Sequence, residues 1–310
     1  MRIAIIGAGA LGTFYGSRLQ AAGHEVHLLA RSDAAIGREQ GFLCRSPLGE
    51  LRIPGERVHA RATDLPASEV VILATKTVEN HLLAQLLPPA LAANGHVLVL
   101  QNGLGVEAEA AAVVGNERVW GGLCFLCANK VAPAEVEHLA HGKVAFGHYC
   151  ANGGSREPDT ALQACAQAFA DGGVEIELSA DLVLARWRKL LWNIPYNGLC
   201  TVMDVDTAQL SRQQPGRALV EAIMQEVQAG AAKCGRHLSD AMRAAMIAST
   251  DDMGPYCPSM LLDRRCQRAM EVEHMFGNPL RAVRAAGGDM PQVDLLYRQL
   301  LTLDQLRLQA

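Results

Sequence analysis

The hexapeptide Gly7-Ala8-Gly9-Ala10-Leu11-Gly12 constrains this chain more than any other segment. It follows directly on the apolar run RIAII at 2–6 and opens an amphipathic stretch that reaches Ala22, where Gly23 stops it. EVHLL at 25–29 then reads as a second strand. Glycine triplets recur by chance, so G-x-G-x-x-G is informative only in this strand–turn–helix–strand setting. Here each glycine has a separate use. Gly7 permits the tight turn, Gly9 lets the backbone approach a pyrophosphate, and Gly12 lets the helix pack closely on the strand. The helix start adds free N–H groups and the positive end of its dipole, so Gly7, Ala8, Gly9, Ala10, Leu11 and Gly12 form a candidate dinucleotide cradle. The bland alternative is a glycine-rich turn with no ligand.

The same alternation continues. EVVILAT at 69–75 and GHVLVLQ at 95–101 suit buried parallel strands, with a helix over 78–93 between them. Shorter strands are expected around 118–126, 134–138, 143–147 and 174–178. From Asp181 the pattern is helical, over 181–201, 214–235, 239–250, 259–286 and 291–307, with Ser179 and Asp181 as caps for the first. The segment ANGGSREPD at 151–159 is loop chemistry but precedes another helix and strand, so it stays with what comes before. The expected fold class is α/β: an N-terminal Rossmann-type dinucleotide-binding domain over 1–179, with a mostly parallel sheet, followed by an all-helical C-terminal domain over 180–310.

Composition narrows the function. The 310 residues are half hydrophobic and carry 28 Lys+Arg against 32 Asp+Glu. A near-neutral balance without basic clustering argues against nucleic acid as the main partner. No apolar run approaches the roughly 18 residues of a membrane span. Arg2 and the apolar stretch after it could pass for a signal peptide, but the glycines and the periodic helix read against one. Nine scattered cysteines point to a reduced, cytoplasmic compartment. Cys124 and Cys127 form a lone C-x-x-C without two further ligands at motif spacing, so they read as packing, and no metal is expected. The apolar faces of the helical segment would allow a homodimer.

The end of the second strand selects the cofactor. NAD binders usually carry Asp or Glu there to hold the ribose 2′-OH. This chain reads His27-Leu28-Leu29-Ala30-Arg31-Ser32, and the guanidinium of Arg31 suits a 2′-phosphate. Asp33 is the competing group, so NADP is favoured over NAD without excluding it. Lys76 and Asn102 follow the third and fourth strands, where ligands bind in such sheets, although Asn102-Gly103 is also ordinary turn chemistry.

Within the apolar stretch 182–200 stand Lys189, Asn193 and Asn197, spaced by four and four along one helical face. A lysine and two asparagines on a greasy helix suggest a polar cleft; a solvent face is the alternative, since Arg186 and Arg188 are nearby. Pro195 removes one backbone bond and bends the axis there.

Taken together, GAGALG at 7–12, Arg31, Thr75-Lys76, Asn102-Gly103, WRKLLWNIPYN at 187–197, SMLLD at 259–263 and MEVE at 270–273 make the chain resemble the ketopantoate reductase family over nearly its whole length. That family uses NADPH in pantothenate biosynthesis. The resemblance implies Lys189 as proton donor and Glu271 as the carboxylate that closes the site near the nicotinamide and the reacting oxygen. It implies Asn193, Asn197 and Ser259 as substrate ligands, and Lys76, Asn102 and Arg31 as cofactor contacts, with Asn102 also near the substrate. A residue near Cys127 would face the cofactor through its backbone. Thr207 stands where some members carry a further Asn, which affects substrate detail more than reaction type.

The implied activity is NADPH-dependent reduction of 2-dehydropantoate to pantoate. The alternatives are a reductase of another branched 2-keto acid and a non-catalytic NADP-binding sensor or regulatory protein. One geometric condition follows. Ser259 and Glu271 would lie about 18 Å apart on a straight helix, too far for one small keto acid, so the chain must turn near 264–270. Gly277 and Pro279 likewise predict a broken helix beyond.

Overall fold

The apolar runs of the first half assemble into one sheet. In the computed structural model, which describes residues 1–309, the elements are β1 (Arg2–Ile6), α1 (Ala10–Ala21), β2 (Glu25–Leu29), α2 (Ala34–Gln40), β3 (Phe42–Arg45), β4 (Leu51–Ile53), β5 (Val58–His59), β6 (Ser68–Leu73), α3 (Leu83–Ala90), β7 (Leu91–Val99), α4 (Val106–Val114), β8 (Val119–Ala132), β9 (Glu135–His148), α5 (Thr160–Asp171) and β10 (Ile176–Leu178). The strand order is β4-β3-β9-β8-β7-β6-β1-β2-β5, with β10 against β9. Pairing is parallel except for β3–β4 and β8–β9. β1 lies between β2 and β6, so the chain leaves it in opposite directions on its two sides. That is the switch point at whose carboxyl edge open α/β sheets bind ligands.

Burial on both faces explains the unbroken apolar runs. Phe14, Tyr15 and Leu19 of α1 pack with Ile3, Ile5, Val26 and Leu28 on one face. Leu83 and Leu87 of α3 pack with Ile6, Val71, Leu73, Val97 and Val99 on the other. The Cα packing divides the chain into Met1–Gln101 with Val106–Leu182, and Asn102–Gly105 with the residues from Val183 onward.

The second unit comprises α6 (Leu182–Met203), α7 (Thr207–Arg212), α8 (Gln214–Lys233), α9 (Asp240–Met253), α10 (Ser259–Arg265), α11 (Asn278–Ala285) and α12 (Pro291–Leu306), and no strand among the described residues. Its core joins Trp187, Leu190, Leu191 and Ile194 of α6 to Ile223, Met224, Phe276, Leu296 and their neighbours. No helix among the described residues is long and apolar enough to cross a membrane.

Several expected elements are corrected. The helix over 78–93 is a 3₁₀ segment, Thr77–Leu82, followed by α3, which stops at Ala90 just after Pro88 and Pro89. Two prolines in its last turn cannot donate to the ladder, so the chain passes into β7 four residues before the expected strand start. The separate strands at 134–138 and 143–147 are one strand, β9, carrying irregularities in its register and positive φ at His141 (63°) and Gly142 (133°). The short strands β3, β4 and β5 and the helix α7 have no counterpart among the expected elements. The helix over 259–286 is broken: α10 ends at Arg265, Gln267 takes φ 53°, and helix resumes at Val272. The required turn near 264–270 is therefore present. Beyond it, Gly277 and Pro279 do not break the helix; Glu273–Gly277 form a π-turn that runs into α11.

Burial also sets how stability depends on pH. It holds the imidazoles of His27, His59, His96, His138 and His148 below their ordinary range. Such groups are neutral in the fold and take up protons on unfolding. Their contribution is complete above about pH 6.5 and shrinks as pH falls below it. Tm should therefore drop between about pH 7 and pH 5, above the range in which carboxylates titrate. His138→Asn should flatten the slope, because His138 is buried between the Ser46 hydroxyl and the His141 carbonyl. Thermal melts across this window test it, and a Tm independent of pH there would refute it.

Candidate active site

The first unit supplies the cradle. Gly7 has φ +115°, and a Cβ there would lie 2.7 Å from the Ala74 carbonyl carbon. A Cβ on Gly12 would lie 1.9 Å from the Gly7 carbonyl oxygen. These two glycines are demanded by the protein's own packing. Gly9 differs: its φ is −85° and a Cβ would meet nothing within 4 Å. The chain itself gives no reason for glycine at this position; a ligand laid against the backbone does. Gly9 is the N-cap of α1, contributes no side-chain cap, and is followed by no acidic residue in the first turn. The N–H groups at this helix start thus fit a pyrophosphate.

The strand ends beside it carry the expected polar groups. Arg31, 82% exposed at its side chain, donates to Glu79 Oε2 at 3.0 Å. Asp33 is buried and committed elsewhere: it accepts from the Ala134 N–H at 2.8 Å and the Ser32 hydroxyl at 2.8 Å, and pairs with Lys130. Burial pulls its pKa up, but these bonds outweigh burial and leave it below the ordinary aspartate value. Lys76 is half-buried at the cap of the 3₁₀ segment. Sequence reasoning missed its neighbours. Gln101 donates from Nε2 to Asn80 Oδ1 at 2.7 Å and to Thr75 Oγ1 at 3.3 Å. The Nδ2 of buried Asn80 has no protein partner, a further donor at the carboxyl edge that suits a polar ligand. A single Asn within a 3₁₀ segment carries no pattern by which it could have been read. Cys124 and Cys127 both lie buried on β8.

The second unit supplies a row of buried polar side chains. Lys189, Asn193 and Asn197 are 8%, 5% and 2% exposed along one face of α6, which continues through Pro195. Lys189 Nζ donates to Asn102 Oδ1 at 2.7 Å. Asn197 Nδ2 reaches Asn193 Oδ1 at 3.5 Å, while Asn197 Oδ1 accepts from the Met260 N–H at 3.2 Å and from Ser259 Oγ at 3.4 Å. Thr201, one turn further on, is also buried, and its hydroxyl has no protein partner. Five expected residues, Lys189, Asn102, Asn193, Asn197 and Ser259, are thus linked to this row. Glu271 is 6% exposed in the same unit, at the end of the turn that follows α10. Thr207 serves the backbone beside α9: its hydroxyl donates to the Gly254 carbonyl at 3.4 Å and accepts from the Tyr256 N–H at 3.2 Å.

A glycine cradle at a switch point, and a buried lysine heading a row of carboxamides, are the equipment of a nicotinamide-dependent reductase. Comparison with known proteins agrees. Residues 3–150 match the family described as Ketopantoate reductase PanE/ApbA, and residues 181–304 match Ketopantoate reductase PanE/ApbA C terminal. The chain belongs to the ketopantoate reductase family. It is therefore an oxidoreductase of a nicotinamide-dependent type. A 2-dehydropantoate 2-reductase of Nostoc sp. is 42% identical over 98% of this chain and 95% of its own length. The crystal structure of 2-dehydropantoate 2-reductase from Geobacter metallireducens is 36% identical with TM-score 0.92, covering 97% of this chain and 99% of that one. D-mandelate dehydrogenase in a ternary structure with NADH and anilino(oxo)acetate is 24% identical with TM-score 0.88, over 99% of each chain, a likeness of fold.

The two classes of glycine separate experimentally. Gly9→Ala should leave Tm near wild type, since its Cβ meets no protein atom, yet weaken dinucleotide binding about tenfold or more, a loss of about 1.4 kcal/mol. Gly12→Ala should instead lower Tm or prevent folding. Calorimetric titration and thermal melts check both, and unchanged binding by Gly9→Ala would remove the cradle.

Proposed function

We propose that this chain reduces 2-dehydropantoate to pantoate, with NADPH as the hydride source. The observation that supports it best is the buried row headed by Lys189, in a chain 42% identical to the Nostoc sp. enzyme named for that substrate. On this reading the domain of residues 1–179 binds the nucleotide and that of residues 180–310 binds the keto acid.

The nicotinamide, when bound, supplies the hydride. Lys189 polarises the ketone oxygen and hands it a proton as the new C–H bond forms, so the carbonyl gains one hydride and one proton and becomes a secondary alcohol. Asn102 takes one of the ammonium's three N–H donors and so fixes where the head group stands. Asn193, Asn197 and Ser259 offer neutral hydrogen bonds to the carboxylate and the hydroxyl, holding one face of the ketone toward the hydride. Glu271 is the carboxylate that closes the site beside the reacting oxygen.

For the cofactor, Arg31 reads the 2′-phosphate. Its guanidinium stands at the end of β2, exposed and already bonded to a carboxylate, Glu79. Glu79 holds it only at the surface, so a phosphate can take its place. Asp33, the acid that would favour NAD, is engaged with Ala134 and Lys130. Lys76 and Asn102 complete the cofactor contacts.

Initial rates of NADPH oxidation with 2-dehydropantoate and a panel of branched 2-keto acids test the assignment. The highest kcat/KM is expected for 2-dehydropantoate. Turnover of other acids alone would move the substrate, and tight NADPH binding without turnover of any would make the chain a binding protein. Arg31→Ala should raise the KM for NADPH by about 10- to 150-fold, the loss of a charge-assisted bond, while changing that for NADH little; equal effects on both would sink the role.

Lys189→Ala should lose about 10²- to 10⁴-fold in kcat with NADPH affinity largely kept. Lys189→Arg should restore little, since guanidinium scarcely releases a proton at working pH. A folded Lys189→Ala protein with wild-type kcat would remove the centre of the mechanism.

A further inference from the structure

We propose that Asn278 is a positioning residue for the reduction: it fixes the Asn102–Gly105 loop so that Asn102 meets Lys189. This rests on the reading of Lys189 and Asn102 given above. The loop has no regular structure, and Gly103 and Gly105 take φ of +114° and +76°. Two glycines give this segment wide conformational freedom and no side chains to pack at those positions, so bonds from outside help to fix its shape.

Two bonds do so, both from the π-turn and the start of α11. The Leu104 N–H donates to the His274 carbonyl at 2.9 Å, and Asn278 Nδ2 donates to the Leu104 carbonyl at 2.7 Å. Both backbone polar groups of Leu104 are thereby held by one short segment. Gly103 lies so close to His274 that a Cβ would come within 2.6 Å of its carbonyl oxygen.

The π-turn explains why His274 can serve the loop. In an α-helix its carbonyl would accept from the N–H of residue 278, but Asn278 N donates to Glu273 instead. In a π-turn it would accept from residue 279, which is Pro279 and has no N–H. The carbonyl is thus denied both helical donors and takes Leu104.

Asn278 is oriented in turn. Arg281 Nη2 donates to its Oδ1 at 2.6 Å, so the amide nitrogen faces the loop. The same Arg281 nitrogen donates to Glu273 Oε2 at 2.9 Å, and the Tyr297 hydroxyl donates to Glu273 Oε1 at 2.6 Å.

The test is a mutant cycle read by kcat and KM with 2-dehydropantoate and NADPH, with Tm and amide exchange of the loop measured alongside. Asn278→Ala should lower kcat/KM about tenfold, mostly in kcat, and speed exchange at Leu104. Asn278→Asp, although isosteric, should be at least as damaging, because it sets a carboxylate oxygen against the Leu104 carbonyl. In an Asn102→Ala background the further loss from Asn278→Ala should fall below about twofold, since the two act through one contact. Arg281→Gln, an exposed change, should show a weaker loss with the same dependence on Asn102 should Asn278→Ala fail to fold. Additive losses, a fully active Asn278→Asp, or unchanged exchange would overturn the proposal. Full activity in both Lys189→Ala and Asn102→Ala would instead overturn the reading of the site, and the exchange result would still report whether Asn278 anchors the loop.

Discussion

A lysine with 8% of its residue surface exposed needs partners for its head group inside the protein. Taking such a charge out of water costs several kcal/mol, and the cost is tolerated only where acceptors sit at the right distance. For Lys189 one such acceptor is Asn102, 87 residues earlier in the chain and 2.7 Å away. This requirement explains why four residues of the strand-rich half, Asn102–Gly105, pack with the helical unit. They leave the end of β7 through two glycines in the left-handed region, where other residues would be strained. The helical unit then shapes a π-turn to receive them. A core designed for stability alone would put a leucine at position 189 and need none of this.

The rest of α6 follows the same logic. Its apolar residues bury against the helical core, and its fourth-residue row remains polar yet buried. A buried carboxamide leaves donors and acceptors to satisfy. Asn197 meets this by receiving Ser259 and the Met260 N–H, which places the start of α10 against α6. The buried polar row and the helix that packs against it are therefore positioned by the same side chain. Pro195 falls between the two asparagines and cannot donate to the Leu191 carbonyl, yet the helix continues, its neighbours packed on both sides.

Legibility in the sequence tracks how far each signal is local. The cradle is readable because strand, turn and helix sit within thirty residues, and the row on α6 because a period of four is a property of one helix. The strands β3, β4 and β5 are not, since runs of two to four residues have no period; they exist because neighbouring strands offer them an edge. The bulged β9 reads as two strands because His141-Gly142 looks like a turn, and only the partner strand β8 carries pairing past it. Among the candidate residues, Lys189, Asn193 and Asn197 are visible as a pattern, and Arg31 as a missing acid. Asn278, Asn80 and Gln101 are invisible, because each matters through a partner distant in sequence.

Asp33 shows how packing can commit a polar group to the fold. It is the N-cap of α2, a position where aspartate normally accepts from the helix's own N–H groups, yet its side chain makes no such bond. It reaches across 101 residues to the N–H of Ala134, a buried residue at φ 57° in the turn between β8 and β9. Without that carboxylate the Ala134 N–H would be buried and unsatisfied, at a cost of about 1–3 kcal/mol. Lys130, on the adjoining strand, neutralises the same group. An acid so engaged has less acceptor capacity left for a ribose hydroxyl, and the chain carries no second acid between His27 and Ser32. Arg31, bonded to a carboxylate at the surface, has no such structural duty to abandon. What the aspartate has already been recruited to hold thus supports the proposed reading of Arg31.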